Sequence, residues 1–243
     1  DEPYRIEDRF SIVNSVSRYL DPGRLEVSVT RDGRPAAGVP VTVSVWNFGG
    51  MRAIARQETD DSGRAGLTLG DGAVVAIVSR RDPQPGDIVV AGLGSSNDAN
   101  HRTGPSRTGE GLHRAATAAV ADAGMDPAEL GAVKCHGTAT VYNDAMEAKA
   151  IHRLFGGNMP PCASLKGALG HSSGAGSLVE VLIAAECLKR RVLPPTAGYA
   201  DHGVDEPVPI AGTTQTIERP AVLCLSAGFG GVNAAAVVKE WLA

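Results

Sequence analysis

The sequence predicts an α/β layered domain preceded by a smaller all-β region. Three observations carry this. Strand-like and helix-like segments alternate from about residue 87 onward, residues 22 to 80 alternate apolar with polar side chains, and the Pro/Gly-rich "RRDPQPGD" (80 to 87) separates the two textures. The expected division is a lead at 1–21, a β module at 22–80, a linker at 81–86 and an α/β domain at 87–243.

In the β region, residues 25 to 30 and 39 to 46 ("VPVTVSVW") have the period-two pattern of half-buried strands. Between them, "RDGRPAAG" supplies Asp-Gly and Pro turn chemistry, so a hairpin or meander is expected. A second set follows as "MRAIARQ", the turn "TDDSG" and "RAGLTLGDGAVVAIVS". Further on, "DIVVAGLG" reads as a strand, "GEGLHRAATAAVADAG" as a helix and "AVKCHG" as a strand. A helix is expected from Asp144 to Phe155, then another near 175 to 190. That last segment is apolar around most of its circumference, which predicts burial between two layers. "AVLCLSAG" and "NAAAVVKEW" close the domain as strands.

Composition narrows the function. The 243 residues include 23 basic and 27 acidic side chains, a formal charge of −4, with 4% aromatics. That is neither the positive field nor the stacking surface of a nucleic-acid binder. The four cysteines, Cys135, Cys162, Cys187 and Cys224, are scattered without a C-x-x-C pair, so reduced, mostly buried thiols are expected. Glu180 and Glu186 interrupt the longest apolar run, which leaves no membrane span of roughly 20 residues. "DEPYRIEDRF" lacks the pattern of a signal peptide, and a cytoplasmic setting is the expectation.

Three glycine-bearing loops at strand ends gather the chemistry: "HGTAT" (136–140), "SLKGALGHSSGAGS" (164–177) and "SAGFGGVN" (226–233). Glycine there lets a ligand approach the backbone closely. A phosphate loop is not indicated, because Lys166 precedes the glycines and no G-K-[ST] occurs; His136 and His171 have no metal-ligand spacing. Cys135 and His136 are neighbours at a strand end and should point to opposite faces, which makes Cys135 a core thiol and not a nucleophile paired with His136. Taken singly, the other residues have plain readings. Asp144 and Glu147 beside Asn143 could cap and box a helix start, Lys166 could lie on the surface, His171 could bond to loop backbone, and Phe229 could be core.

In order and spacing, His136-Gly137-Thr138-x-Thr140, Asp144, Glu147, Lys166, Gly170-His171 and Gly228-Phe229-Gly230-Gly231-x-Asn233 resemble the C-terminal half of a β-ketoacyl-acyl carrier protein synthase, a condensing enzyme of the thiolase superfamily. The stretches "SNDANHRTGPSRTGEGL" and "ATVYNDAMEAKAI" look closest to ketosynthases of polyene-type pathways. The resemblance implies half of a thiolase-like fold. It also implies decarboxylative condensation of malonyl thioesters in fatty-acid or polyketide assembly. Acyl groups would arrive on the phosphopantetheine of acyl carrier protein, with no other cofactor and no metal. By the same resemblance His136 and His171 stabilise the enolate, and Lys166 is a buried cation paired with Glu147. Phe229, between Gly228 and Gly230, gates the site, with Thr138 and Asp144 in support.

The family's nucleophilic cysteine lies in a first half, and no cysteine precedes Cys135. A lone second half should expose an apolar patch, so a second chain or self-association is expected. Residues 22 to 80 resemble an immunoglobulin-like sandwich module of bacterial transglutaminase-like proteins. They also resemble, from near Met51, the ketosynthase segment that crosses between its halves; both alignments stay open at this point. An alternative to catalysis is a non-catalytic scaffold or binding protein that keeps the family's residues.

Overall fold

The computed structural model describes residues 83–98 and 100–242, and shorter segments between 11 and 68. The chain divides into two compact units, Val13–Val78 and Asp1–Ile12 with Ser79–Ala243. The break falls at Val78/Ser79, and the first twelve residues are grouped with the larger unit, because Ser11–Ile12 (β1) adds an antiparallel edge to its sheet. The remaining N-terminal lead and the stretch 69–82, which includes Gly-Asp-Gly-Ala, lie outside the described residues.

The smaller unit holds β2 (Arg24–Ser28), β3 (Thr30–Arg31), β4 (Arg34–Pro35), β5 (Pro40–Asn47), β6 (Gly50–Glu58) and β7 (Arg64–Thr68). Its pairing corrects the expected hairpin. β2 pairs with β7, β3 with β4 and β5 with β6, so the two alternating strands are not each other's partners. The expected Asp-Gly turn lies outside the described residues, between the two-residue β3 and β4. The immunoglobulin-like sandwich finds no support either, since these strands form three separate two-stranded ladders. The "TDDSG" turn is built as expected of Asp and Ser, with Asp60 accepting from the Ser62 amide at 2.9 Å and its hydroxyl at 2.6 Å.

The larger unit has the α/β layering the sequence predicts. Its six-stranded mixed sheet runs β1, β8 (Ile88–Asn97), β14 (Val232–Glu240), β13 (Ala221–Gly228), β9 (Ala132–Lys134), β10 (Cys162–Ala163). β9 is parallel to both β13 and β10, and the β1–β8, β8–β14 and β14–β13 pairings are antiparallel. Helices α1 (Glu110–Asp122) and α2 (Val141–Phe155) cover one face. After the single-turn α3 (Lys166–Leu169), helix α4 (Gly176–Arg190) covers part of the other. A two-stranded ladder, β11 (Val192–Leu193) with β12 (Gln215–Thr216), follows α4.

Two glycines in β8 set the α1 distance. A Cβ on Gly94 would sit 2.0 Å from the Ala115 carbonyl oxygen, and one on Gly92 would sit 2.2 Å from that of Ala119. Helix and strand backbones therefore touch, and α1 lines the contact with Ala115 and Ala119, both wholly buried.

β9 divides its residues by parity between the layers. Val133 and Cys135 join the cluster with Leu112, Met146 and Ile151 of α1 and α2, whereas Ala132 packs with Ala184, Ala185 and Leu188 of α4. Lys134 and His136 follow Ala132 at two-residue steps, on the α4 side. Cys135 is thus the core thiol that its position suggested, 3% exposed.

α4 is not enclosed as its composition predicted. Gly176, Glu180, Ala184, Ala185 and Leu188 are buried, but Leu178 is 52% exposed. The sheet beside it is open too. Leu93 pairs with Ala236, Ser95 with Ala234 and Asn97 with Val232, and Ala234 pairs with Ser226, whose hydroxyl meets that of Ser177 on α4 at 2.7 Å. Leu93 and Val232 therefore share the α4 face, and both are more than half exposed. This is the apolar patch a lone half was expected to show. Among the described residues, no helix is long and apolar enough to cross a membrane.

Candidate active site

The loops that follow β9 and β10 converge, and β13 is tied to the start of α4 through the Ser226 and Ser177 hydroxyls. The rings of His136 and His171 stand 5.9 Å apart, edge to face at 85°. His136 is 5% exposed while His171 lies open. His171 Nδ1 accepts the Ser173 amide at 3.2 Å, so its plain reading as a backbone-bonded loop histidine is also true.

Lys166 begins α3 with its side chain 8% exposed. Its ammonium donates to the His136 carbonyl at 2.5 Å and to Glu180 Oε1 at 2.7 Å. The expected partner Glu147 is therefore incorrect. Glu147 uses both oxygens on backbone, accepting the His136 amide at 2.6 Å and the Gly137 amide at 2.9 Å. It holds the loop, and Glu180, one turn into α4, holds the lysine. Burial raises the pKa of Glu147, against the two amides and Lys134, which lower it.

The capping-box reading of Asp144 and Glu147 also needs correction. α2 begins at Val141, three residues before the predicted start, with Thr140 as its N-cap residue. Thr140 makes no side-chain cap; its hydroxyl joins that of Thr138 at 2.9 Å and accepts from Asn143 at 2.8 Å. Asp144 thus lies within the first turn, its Oδ1 buried and without a partner, and burial raises its pKa. Gly137 has φ 46°, and a Cβ there would meet Ser164 Cβ at 2.4 Å. In that space the Ser164 hydroxyl donates to the Gly137 carbonyl at 2.8 Å.

Phe229 is 79% exposed, so core packing is excluded. Its loop, flanked by Gly228 and by Gly230 at φ 79°, is tied to residues 97–102. The Gly230 amide donates to the Arg102 carbonyl at 2.7 Å, and Asn97 donates to the Gly230 carbonyl at 3.0 Å. Asn233 Nδ2 reaches Asp98 at 2.9 Å below it. A cavity of about 410 Å³ lies on another side of the His136 loop, lined by Cys135, Asp144, Ile151 and the segment Thr196–Val204.

Two residues of the site were not singled out from sequence. Lys134, 2% exposed, donates to Glu180 Oε2 at 2.5 Å and to the Leu225 carbonyl at 2.9 Å. One buried carboxylate thus serves two ammonium groups. The signal was present: a lysine inside a strand whose neighbours are all apolar or aromatic must be compensated somewhere.

Burial, then Lys166, Lys134 and His171, lower the His136 pKa to about 3. The ring is neutral at pH 7 and keeps an N–H to donate. Since 3 lies below the usual 6.5, the folded protein binds fewer protons than the unfolded chain in that interval. His136 therefore costs no stability above pH 6.5 and progressively more as pH falls toward 3. At pH 5 the cost should be about 2 kcal/mol. Replacing His136 by Asn should remove that much of the fall in stability between pH 7.5 and 5, read from urea midpoints. Equal falls in both proteins would mean that the ring takes up its proton freely.

Comparisons with known proteins agree with this arrangement. Residues 88–200 match the family described as "Beta-ketoacyl synthase, C-terminal domain". The 3-oxoacyl-[acyl-carrier-protein] synthase 2 of Vibrio harveyi is 30% identical over 246 residues, covering 94% of this chain and 58% of the relative. Nodulation protein E of Rhizobium sp. (strain N33) is 32% identical, over 90% of this chain and 56% of that protein. A ketosynthase solved in complex with its chain length factor, from Xenorhabdus doucetiae, superposes with TM-score 0.60 at 33% identity, over 75% of this chain and 45% of that one. The chain thus spans between half and three-fifths of the curated relatives it matches.

Proposed function

We infer that this chain, which carries a β-ketoacyl synthase C-terminal domain over residues 88–200, supplies the enolate-stabilising half of a condensing site acting on malonyl thioesters of acyl carrier protein. The observation that carries this is the pair of imidazoles 5.9 Å apart, one of them held neutral beside a buried ammonium. In the reaction the bond between the malonyl α-carbon and its carboxylate breaks and carbon dioxide leaves. The electron pair moves onto the thioester oxygen, where N–H groups of His136 and His171 receive the charge. The enolate carbon then attacks an acyl thioester on a cysteine, forming the new carbon–carbon bond and releasing the cysteine thiolate.

That cysteine comes from polypeptide outside these 243 residues. Cys135, Cys162 and Cys224 are buried, and Cys187 on α4, half-buried, has its thiol pushed up by burial. The Cys135 thiol is pushed up by a hydrogen bond with the Cys162 thiol and by burial, and Cys224 is pushed up to about 12 by burial. The open face with Leu93, Leu178 and Val232 receives the missing half or a second chain. Phe229 with Gly228 and Gly230 gates entry, Lys166 orders the His136 loop, and Thr138, Asp144 and Glu147 support it. The Vibrio harveyi alignment takes in all but 6% of the chain, so it reaches into Val13–Val78. That favours a diverged ketosynthase lead-in for the β unit over a foreign module. Fatty-acid or polyketide assembly in the cytoplasm is the setting proposed.

The test is carbon dioxide release from malonyl-acyl carrier protein by the folded chain, with no acyl primer present. Release is expected. A folded chain that releases none overturns the reading and favours a non-catalytic scaffold.

A further inference from the structure

Lys134 stands outside every role assigned so far. It sits on the last residue of β9, the strand next to the β10 edge of the sheet, with β13 and β10 on either side. Its ammonium reaches α4 through Glu180 and β13 through the Leu225 carbonyl, four residues before Phe229. The same Glu180 fixes Lys166, whose second bond is to the carbonyl of His136, two residues after Lys134. A surface-style ion pair needs one cation for one carboxylate; here the second cation is buried beside the first.

We propose that Lys134 is a positioning residue: by sharing Glu180 with Lys166 and holding the Leu225 carbonyl, it fixes the His136 loop and the strand leading to Phe229 relative to α4. The two ammonium groups that share Glu180 lie beside the neutral imidazole, where the proposed reaction develops an oxyanion. The groups facing this cluster are Lys166 from α3, Glu180 from α4, Glu147 from α2, Cys224 from β13, and His171. Lys134 lowers the pKa of both His136 and Lys166, in each case behind the larger effect of burial. Removing it leaves Glu180 and Lys166 as a balanced pair and not a stranded charge, so a neutral replacement is tolerable in a way that loss of Glu180 is not.

The role deepens the proposed function and rests on it only for its catalytic consequence. Solution NMR reads the positioning without activity. In the unsubstituted protein two slowly exchanging lysine ammonium groups are expected, assigned to Lys134 and Lys166; finding only exposed, fast-exchanging ammonium groups overturns the proposal without requiring any variant to fold. In Lys134→Met the His136 titration midpoint should rise by about half a pH unit or more, and that of Lys166 should rise with it. Lys134→Arg, which keeps the charge, should leave His136 near its original midpoint. A folded Lys134→Met protein with both midpoints unmoved overturns the proposal. In the carbon dioxide assay, Lys134→Met should lower kcat roughly tenfold with KM little changed. If the NMR shifts occur and the unsubstituted chain releases no carbon dioxide, Lys134 positions the cluster and the reaction assigned to the site is what fails.

Discussion

Glu180→Gln should destabilise the larger unit by about 3–5 kcal/mol, a sizeable part of what a domain of this size has to lose. The glutamine fits the same space and can still accept through one oxygen. Among the described residues it removes the only negative charge in direct contact with two ammonium groups whose side chains are 2% and 8% exposed. Each then faces the other across a low-dielectric space. The alternative for the protein is to shed a proton from one lysine, which gives the prediction a sign in pH. In the variant at least one folded-state lysine pKa falls well below the unfolded value, so the folded state binds fewer protons than the unfolded chain. Its stability should accordingly recover as pH rises from 7 toward 10, and by more than the parent's, in which burial already lowers the Lys166 pKa but Glu180 holds it up. Denaturant midpoints at two pH values measure it. Glu186→Gln is the control on the same helix. Its ion pair with Arg190, at 2.6 Å, joins side chains 33% and 73% exposed, and its loss should cost less than about 1 kcal/mol. Equal midpoints for Glu180→Gln and the parent would mean that the shared-carboxylate cluster does not form in solution.

The same carboxylate marks where sequence reading stopped. Its strand pattern identified β8, β9, β13 and β14, and its helical pattern α1, α2 and α4, because each of these elements buries at least one periodic face. The two-residue strands β1, β10, β11 and β12 are too short to show a period, so they were not read. The start of α2 was misplaced because Asn143, Asp144 and Glu147 resemble a capping sequence, while tertiary contacts use Glu147 on the loop and start the helix at Val141. In the β unit, turn chemistry at Asp32-Gly33 was visible, but which strand pairs with which depends on contacts distant in sequence. The site shows the same division. Ordered loops gave His136, Lys166, His171 and Phe229 by resemblance, and the structure brings the first three together. Ion-pair partners are set by which helix face meets which strand parity, and a local string does not encode that. Glu180 was noticed only as an interruption in an apolar run, yet its place in the interior, 3% exposed, is what makes the lysine arrangement possible.

Replacing His136 by Ala should lower carbon dioxide release from malonyl-acyl carrier protein by roughly a hundredfold to a thousandfold. The effect comes from one donor acting where charge develops. At pH 7 an imidazole with its pKa near 3 carries no charge, so it gives a hydrogen bond without first binding the substrate carboxylate as a cation would. Its backbone is fixed independently of the ring. The amide is held by Glu147 and the carbonyl by Lys166, both bonds that the alanine variant keeps. Loss of rate in a variant with unchanged fold would then report the ring alone. His171→Ala should also reduce release, although by less if the exposed ring is more easily replaced by water. The two effects should combine to less than their product, because the rings at 5.9 Å address one oxyanion. His136→Asn separates orientation from proton donation. It can supply an N–H from a similar position, and it should recover part of the rate with a flat response from pH 5 to 8. A His136→Ala protein that is folded and releases carbon dioxide at the parent rate would remove the enolate-stabilising role from this residue.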